Sequence, residues 1–141
     1  MSAQRIIRVL IVEDQEMVRL GLKVALSRLE NIHVAGLAAD GKSAVASALE
    51  LAPDVVLLDI GLPDIEVAKR IKAANPAIHL IMFTSHTDDD SIFAALAAGA
   101  DGYCDKDASS DELATAIATV DQGAIWLAPA IANRVLRNCT A

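Results

Sequence analysis

Short apolar runs alternate with helical patterns along this chain, and the alternation restricts the fold more than any other feature. The runs are rich in Val, Ile and Leu and lie at Ile6–Val12, Ile32–Leu37, Val55–Leu58, Ile78–Phe83 and Gly102–Cys104. Near-continuous apolar runs of this length are typical of strands buried on both faces. Gly102–Cys104 is weak by itself, and only its place in the alternation predicts a strand there.

Each run is followed by a stretch whose apolar residues recur on one helical face. The first three faces contain Val18, Leu22, Ala25, Leu26 and Leu29, then Val45, Ala48, Leu49 and Ala52, then Ile65, Ala68 and Ile71. The fourth helix is predicted to begin at Asp88–Asp90 and to end before Gly99, and Ser109 with Glu112 has the spacing of a capping box for the fifth. This order predicts an α/β fold, a doubly wound parallel sheet of five strands with helices on both faces.

Length, composition and charge exclude several classes of function for this chain. The chain has 141 residues, enough for one domain with one core, and 54% of them are hydrophobic. Twelve basic against 19 acidic residues give a net charge of −7, which argues against a nucleic-acid surface. No apolar run is long enough for a signal peptide or a membrane span, and two cysteines form neither a zinc motif nor a disulfide framework. We therefore expect a cytoplasmic protein with no membrane partner.

Polar side chains stand directly after four of the predicted strands. Ligands bind beyond the carboxyl ends of the strands in sheets of this kind, so these residues are the candidates for chemistry. They are Glu13, Asp14, Asp59, Thr84, Ser85 and Lys106. A doubly wound sheet would bring all of them to one edge.

This residue set suits phosphoryl chemistry. Three carboxylates in one place repel one another, and a hard divalent cation such as Mg²⁺ removes that conflict. Lys106 and the Thr84 hydroxyl can contact phosphate oxygens, while Asp59 is the candidate nucleophile that would form an aspartyl phosphate. Each residue alone has a structural explanation as a helix-dipole acid, turn residue, cap or solvated lysine. Their joint placement at strand ends favours the functional interpretation.

Four motifs resemble the receiver domain of two-component response regulators. They are VLIVED at 9–14, VVLLDIGLPD at 55–64, IMFTS at 81–85 and AAGADGYCDKD at 97–107, and the resemblance extends from Arg5 to about Gly123. The segment WLAPAIANRVL at 126–136 is similar to the NarL/FixJ-type subfamily. The resemblance implies a flavodoxin-like (βα)5 fold with strand order 2-1-3-4-5.

The resemblance also implies roles for single residues. Glu13 and Asp14, the Asp59 carboxylate and the Gly61 carbonyl would bind Mg²⁺, and Asp59 would be the phosphorylated residue. Thr84 and Lys106 would contact the phosphoryl group, with Tyr103 as the aromatic switch that follows the movement of Thr84. In this family a sensor histidine kinase donates the phosphoryl group, and the domain catalyses both its own phosphorylation and its hydrolysis.

The resemblance implies a domain organisation too. Residues 5–123 would form the receiver, and residues 124–141 a C-terminal connector or a short extra helix starting at Pro129. Regulators of this subfamily continue into a helix-turn-helix domain, so DNA would be bound only through an output domain that these 141 residues do not include. Homodimerisation through the fourth helix, fifth strand and fifth helix is compatible with the sequence.

The sequence departs from the family pattern in two places. The Met-Asp-Gly-like stretch that such receivers carry before the third helix is missing, which predicts a shortened loop beside the metal site, and Asp105 replaces a customary apolar residue. A degenerate or stand-alone receiver that acts through protein contacts without phosphorylation is therefore an alternative. A haloacid-dehalogenase-like phosphatase would need a second acid where Gly61 stands. A flavodoxin-like module would need a Gly/Ser/Thr-rich phosphate loop after the first strand, whereas the loop here, Glu13-Asp14-Gln15-Glu16, would repel an anion unless a metal intervened.

Overall fold

The computed structural model describes residues 5–59 and 64–139, and strands alternate with helices through them. The strands are β1 (Ile7–Glu13), β2 (Ile32–Ala38), β3 (Val55–Asp59), β4 (His79–Phe83), β5 (Gly102–Cys104) and β6 (Trp126–Leu127). The helices are α1 (Glu16–Ser27), α2 (Gly41–Leu51), α3 (Asp64–Ala74), α4 (Asp89–Ala97), α5 (Ser110–Asp121) and α6 (Pro129–Cys139). All five predicted strands and helices are confirmed, and Pro129 begins the sixth helix.

The strands form one parallel sheet in the order β2-β1-β3-β4-β5-β6. The predicted order of the first five strands is confirmed, but the prediction of five strands is wrong, because the described residues contain a sixth. β6 pairs with β5 through Gly102 and Trp126. A Cβ atom on Gly102 would lie only 3.3 Å from the Trp126 carbonyl oxygen, so the missing side chain permits this close approach.

The central strands are buried on both sides, as their continuous apolar composition predicts. Leu10 and Val12 of β1 point into a core layer beneath α2, α3, α4 and α6, whereas Val9 and Ile11 point into a layer beneath α1 and α5. This period-two alternation fixes the register of β1 against both of its neighbours. The rigid sheet in turn fixes where each strand ends.

Polar caps begin α4 and α5, as the sequence predicts. Asp88 accepts a hydrogen bond from the Ser91 N–H at the start of α4, and Ser109 accepts one from the Glu112 N–H at the start of α5. Gly99, just past α4, has φ of +103°, which favours glycine. These caps satisfy backbone groups that each helix would otherwise leave without partners.

Helix α2 ends on a residue in an unfavourable conformation. Ala52 has φ of +45°, a left-handed backbone that side chains other than glycine rarely adopt. The Arg8 guanidinium donates to the carbonyls of Leu51 at 2.7 Å and Ala52 at 3.1 Å. Arg8 therefore holds the end of α2 against β1.

Cys104 lies fully buried at the end of β5, in the layer beneath α1 and α5. Burial raises the pKa of its thiol to about 12, with smaller contributions from Asp105 and Glu112. The thiol is therefore protonated at neutral pH and serves as an apolar packing group.

Helix α3 begins at Asp64, and residues 60–63 before it, which include Gly61 and Pro63, lie outside the described residues. The predicted shortening of this loop therefore stays a prediction. None of the helices in the described ranges has the length and apolarity needed to cross a membrane.

Candidate functional site

Two acidic residues end adjacent strands in the middle of the sheet. Glu13 is the last residue of β1 and Asp59 is the last of β3, and the two are directly paired in the strand register. Both are buried, with 1% of Glu13 and 6% of Asp59 exposed. Buried carboxylates side by side are unfavourable unless a positive charge compensates them.

Lys106 supplies positive charge between these carboxylates. Its Nζ lies 2.9 Å from Glu13 Oε1, and it also forms an ion pair with Asp59 Oδ2. Nζ is 5.3 Å from the centre of the Phe83 ring, close enough for a cation–π contribution. Because Lys106 follows β5, the sheet has brought together residues that lie far apart in sequence.

Asp14 is exposed at the edge of the same cluster, and the two neighbouring carboxyl groups interact. The hydrogen bond between the side chains of Asp14 and Glu13 raises the pKa of Asp14. Burial acts to raise the pKa of Glu13, but the Gln15 N–H and the Lys106 ammonium outweigh it and hold that pKa below its ordinary value. Negative charge is therefore crowded at this edge.

Thr84 completes the described wall of the site. It is 1% exposed, and its N–H donates to the Cys104 carbonyl at 3.1 Å, which ties the residue after β4 to β5. Its Oγ1 accepts a hydrogen bond from the His86 N–H at 3.1 Å. A cavity of about 180 Å³ opens here, lined by Glu13, Asp14, Gln15, Asp59, Thr84, Ser85, His86 and Lys106.

Tyr103 lies on the other face of β5, buried in the layer beneath α4. Its hydroxyl donates to the His86 carbonyl, two residues after Thr84. An apolar cavity of about 220 Å³ adjoins the ring and is lined in part by Ile65, Met82 and Ala95. The tyrosine thus contacts the segment that carries Thr84, and there is space beside it.

The residues present fit a hard divalent cation. Glu13, Asp14 and Asp59 offer carboxylate oxygens, the ligand type that Mg²⁺ prefers, and a single nearby lysine leaves negative charge in excess. The raised pKa of Asp14 reports the same excess. Among the described residues, however, no three acidic, His or Cys side chains already converge as a metal cage. The Lys106 ammonium contacts both Glu13 and Asp59.

The structure brings most of the predicted site residues together. Five of them line the single cavity described above, namely Glu13, Asp14, Asp59, Thr84 and Lys106. Tyr103 lies behind the cavity, and Gly61 lies outside the described residues.

Two residues that support Glu13 were not predicted from the sequence. The Gln15 N–H donates to Glu13 Oε2 at 3.1 Å, and the Arg19 guanidinium donates to the Glu13 carbonyl at 2.7 Å. A backbone donor leaves no trace in sequence, and Arg19 resembled any polar residue of α1. Its position one turn into the helix, facing the strand end, was the only available signal.

Comparison with known proteins identifies the family. Residues 9–118 match the model of the response regulator receiver domain. The response regulator protein VraR of Staphylococcus aureus is 40% identical over 120 residues, which cover 83% of this chain and 57% of VraR. The chain thus spans little more than half the length of the curated relatives it matches.

Comparison with solved structures points to the same family. A LuxR-family two-component response regulator from Aurantimonas sp. SI85-9A1 is 29% identical with a TM-score of 0.89, covering 96% of this chain and 99% of that one. The response regulator domain of Thermotoga maritima CheB is 32% identical with a TM-score of 0.73, covering 86% and 97%. This chain belongs to the response regulator receiver domain family.

Proposed function

We propose that this chain accepts a phosphoryl group on Asp59 from a sensor histidine kinase, with Mg²⁺ as cofactor. The observation that carries the proposal is the environment of Asp59 at the centre of the sheet edge. The Lys106 ammonium forms an ion pair with Asp59 Oδ2, and no other group among the described residues donates to that oxygen. The buried carboxylate, compensated by this one lysine, lines a polar cavity that a phosphoryl donor could enter.

The proposed reaction is a displacement at phosphorus. A carboxylate oxygen of Asp59 forms the new bond while the bond between phosphorus and the donor atom breaks. The donor leaves with that electron pair, as acetate from acetyl phosphate or as imidazole, after uptake of a proton, from phosphohistidine. The product is an acyl phosphate, which water can hydrolyse to restore the carboxylate.

Residues around Asp59 stabilise the charge that moves during transfer. The Lys106 ammonium, already against Asp59, can follow the negative charge onto a phosphoryl oxygen, and the buried Thr84 hydroxyl can donate to another. Glu13 and Asp14, together with Asp59 and the Gly61 carbonyl, would hold Mg²⁺. When bound, Mg²⁺ shields the phosphoryl oxygens from these carboxylates.

The wider setting is part of the same proposal. In the full-length regulator, phosphorylation of the receiver, residues 5–123, would control a DNA-binding output domain, with residues 124–141 in a connecting role. Similarity to a LuxR-family regulator and to VraR supports this setting. A cytoplasmic location and homodimerisation stay predictions.

A degenerate receiver is the second candidate, and one observation favours it. The Lys106 ammonium already bridges Glu13 and Asp59, so it competes with any cation for the same oxygens. If the competition favours lysine, the domain would act through protein contacts alone.

Acetyl phosphate distinguishes the two candidates. We expect wild-type protein with Mg²⁺ to gain the mass of one phosphoryl group, with the adduct lost in base and retained in acid. Asp59→Asn should gain none, and removal of Mg²⁺ should prevent the reaction. The matched control is Asp54→Asn, at the residue just before the opposite end of the same strand, which should still be modified. A folded wild-type protein that never gains the mass would establish the degenerate receiver.

A further inference from the structure

Helix α6 is packed into the body of the domain. Ile131 is 2% exposed and lies in the core layer beneath α4, with Val135 packed against the same layer. The strand β6 immediately before it is paired to β5. The chain after Gly123 therefore covers the edge of the sheet next to α4.

Polar contacts join α6 to the segment between β4 and α4. The Arg134 guanidinium donates to the Thr87 carbonyl and lies 2.6 Å from Asp89 Oδ1. The Asn138 amide donates to Asp89 Oδ2 at 3.4 Å and to the Arg134 carbonyl at 2.9 Å. α6 is thus bonded both to the backbone before α4 and to the first residue of that helix.

The segment between β4 and α4 begins at the candidate site. Thr84 lines the cavity that contains Asp59, and its Oγ1 accepts from the His86 N–H. The His86 carbonyl accepts from Tyr103, and the next carbonyl, that of Thr87, accepts from Arg134. Thr84 is therefore linked to α6 through three residues of backbone with a hydrogen bond at each end.

This chain of contacts makes the position of Thr84 and the docking of α6 interdependent. A Thr84 hydroxyl drawn toward a phosphoryl group on Asp59 carries the backbone of His86 and Thr87 with it. That displacement withdraws the Thr87 carbonyl from Arg134, whose other bond is to an exposed carboxylate. Hydrogen bonds weaken steeply as their distance and angle change, so a modest shift of the Thr87 carbonyl weakens its bond to Arg134.

We propose that Arg134 is a latch that holds α6 on the unphosphorylated domain, and that phosphorylation of Asp59 releases it. The inference rests on the proposed function, because the phosphoryl group provides the displacement. Coupling between two sites is reciprocal. Loss of the latch must therefore favour the phosphorylated form by the same factor with which phosphorylation loosens α6.

Hydrogen exchange of the α6 amides tests the latch, with beryllium fluoride and Mg²⁺ as the phosphoryl analogue and intact mass after acetyl phosphate as the measure of modification. We expect exchange in α6 to become about five-fold faster or more when the adduct forms. Arg134→Ala should show the faster exchange without any adduct and should bind beryllium fluoride about five-fold more tightly. Asp89→Asn, which keeps Arg134, should shift both quantities in the same direction by less.

The control is Arg70→Ala, which removes the same charge from an exposed pair with Glu66 on α3. It should change neither α6 exchange nor analogue affinity. An adduct on wild-type protein with α6 exchange unchanged would overturn the latch and leave the proposed function intact. A folded protein that forms no adduct would overturn both, and the mass measurement separates the two results.

Discussion

The two ends of the sheet both carry clustered charges, but the charges are arranged differently. At the amino end Asp54 accepts from the Arg8 N–H at 2.8 Å and pairs with Arg5, which also pairs with Asp121. Lys72 lies 2.8 Å from Asp101 Oδ2, an atom that also accepts from the Leu80 N–H. Each of these carboxylates has a cation and most have a backbone donor.

At the carboxyl end Glu13, Asp14 and Asp59 share one lysine. Asp14 has a raised pKa because of its carboxyl neighbour, and Asp59 Oδ2 has only its ion pair. Charges that support a fold are balanced, whereas charges that await a ligand are left in excess. The contrast supports placing the chemistry at this end and makes predictions for matched pairs of variants.

The largest contrast is expected between the two lysines. Lys106→Ala should slow phosphorylation by acetyl phosphate about 100-fold, since it removes a charge aimed at the transferring group. Lys72→Ala should leave the rate within about two-fold and cost about 1–2 kcal/mol of unfolding free energy, because Asp101 loses its cation. Time courses of intact mass and urea unfolding provide the two measurements.

Addition of Mg²⁺ should further distinguish Lys106→Ala from Lys72→Ala. Lys106→Ala leaves Glu13 and Asp59 uncompensated, so millimolar Mg²⁺ should restore much of its stability. The same addition should do little for Lys72→Ala. Equal responses of the two variants to Mg²⁺ would remove the distinction between the two ends.

The next contrast concerns single carboxylates in metal-free buffer. The raised pKa of Asp14 means that the folded state binds its proton more tightly, so ionisation above about pH 4 costs stability. Asp14→Asn should therefore match wild type near pH 3 and be more stable at pH 7, by less than about 1 kcal/mol because Asp14 is exposed.

Asp54→Asn should instead lower the stability at pH 7, by about 1 kcal/mol, because its bond to the Arg8 N–H is weakened.

Mg²⁺ affinity provides a second comparison. With Mg²⁺ present, Asp14→Asn should bind the cation at least about ten-fold more weakly than wild type. Denaturant melts at the two pH values, and Mg²⁺ titrations followed by melting temperature, measure these differences. Destabilisation of Asp14→Asn at pH 7 without metal would contradict the proposed excess of negative charge.

The smallest effect is expected at the end of α2, away from the site. Ala52→Gly should raise the free energy of unfolding by about 0.5 kcal/mol, because relief of the left-handed backbone exceeds the entropy that glycine adds to the unfolded chain. Ala98→Gly, at the corresponding position of α4 with φ of −77°, should instead lower it by about 0.5–1 kcal/mol. Neither variant should alter phosphorylation, which the acetyl phosphate assay checks.

Local signals in the sequence were sufficient for most of the fold. The strands were visible because a sheet covered on both faces requires unbroken apolar runs, and Asp88 and Ser109 marked helix starts because few residues can satisfy the first N–H groups. Strand ends in a parallel sheet share one edge, so Glu13, Asp59 and Lys106 could be grouped before any contact was known.

What the sequence left hidden depends on tertiary contacts. β6 has two residues, too few for any periodicity, and its close approach to β5 depends on a tertiary contact at Gly102. The contact of Arg134 with the Thr87 carbonyl joins segments whose composition gives no hint of one another. The position of Lys106 between Glu13 and Asp59, rather than beside them, is likewise a result of packing.

The buried thiol of Cys104 provides a way to measure how often part of the domain opens. With a pKa of about 12 and no exposed surface, it can react with an alkylating reagent only after β5 has separated from its neighbours. Its labelling rate in native buffer therefore reports how often β5 separates from its neighbours near the edge of the sheet. Because β5 lies between the strand that ends at the site and the strand that leads into α6, the same rate would register whether a bound phosphoryl analogue tightens or loosens the whole edge.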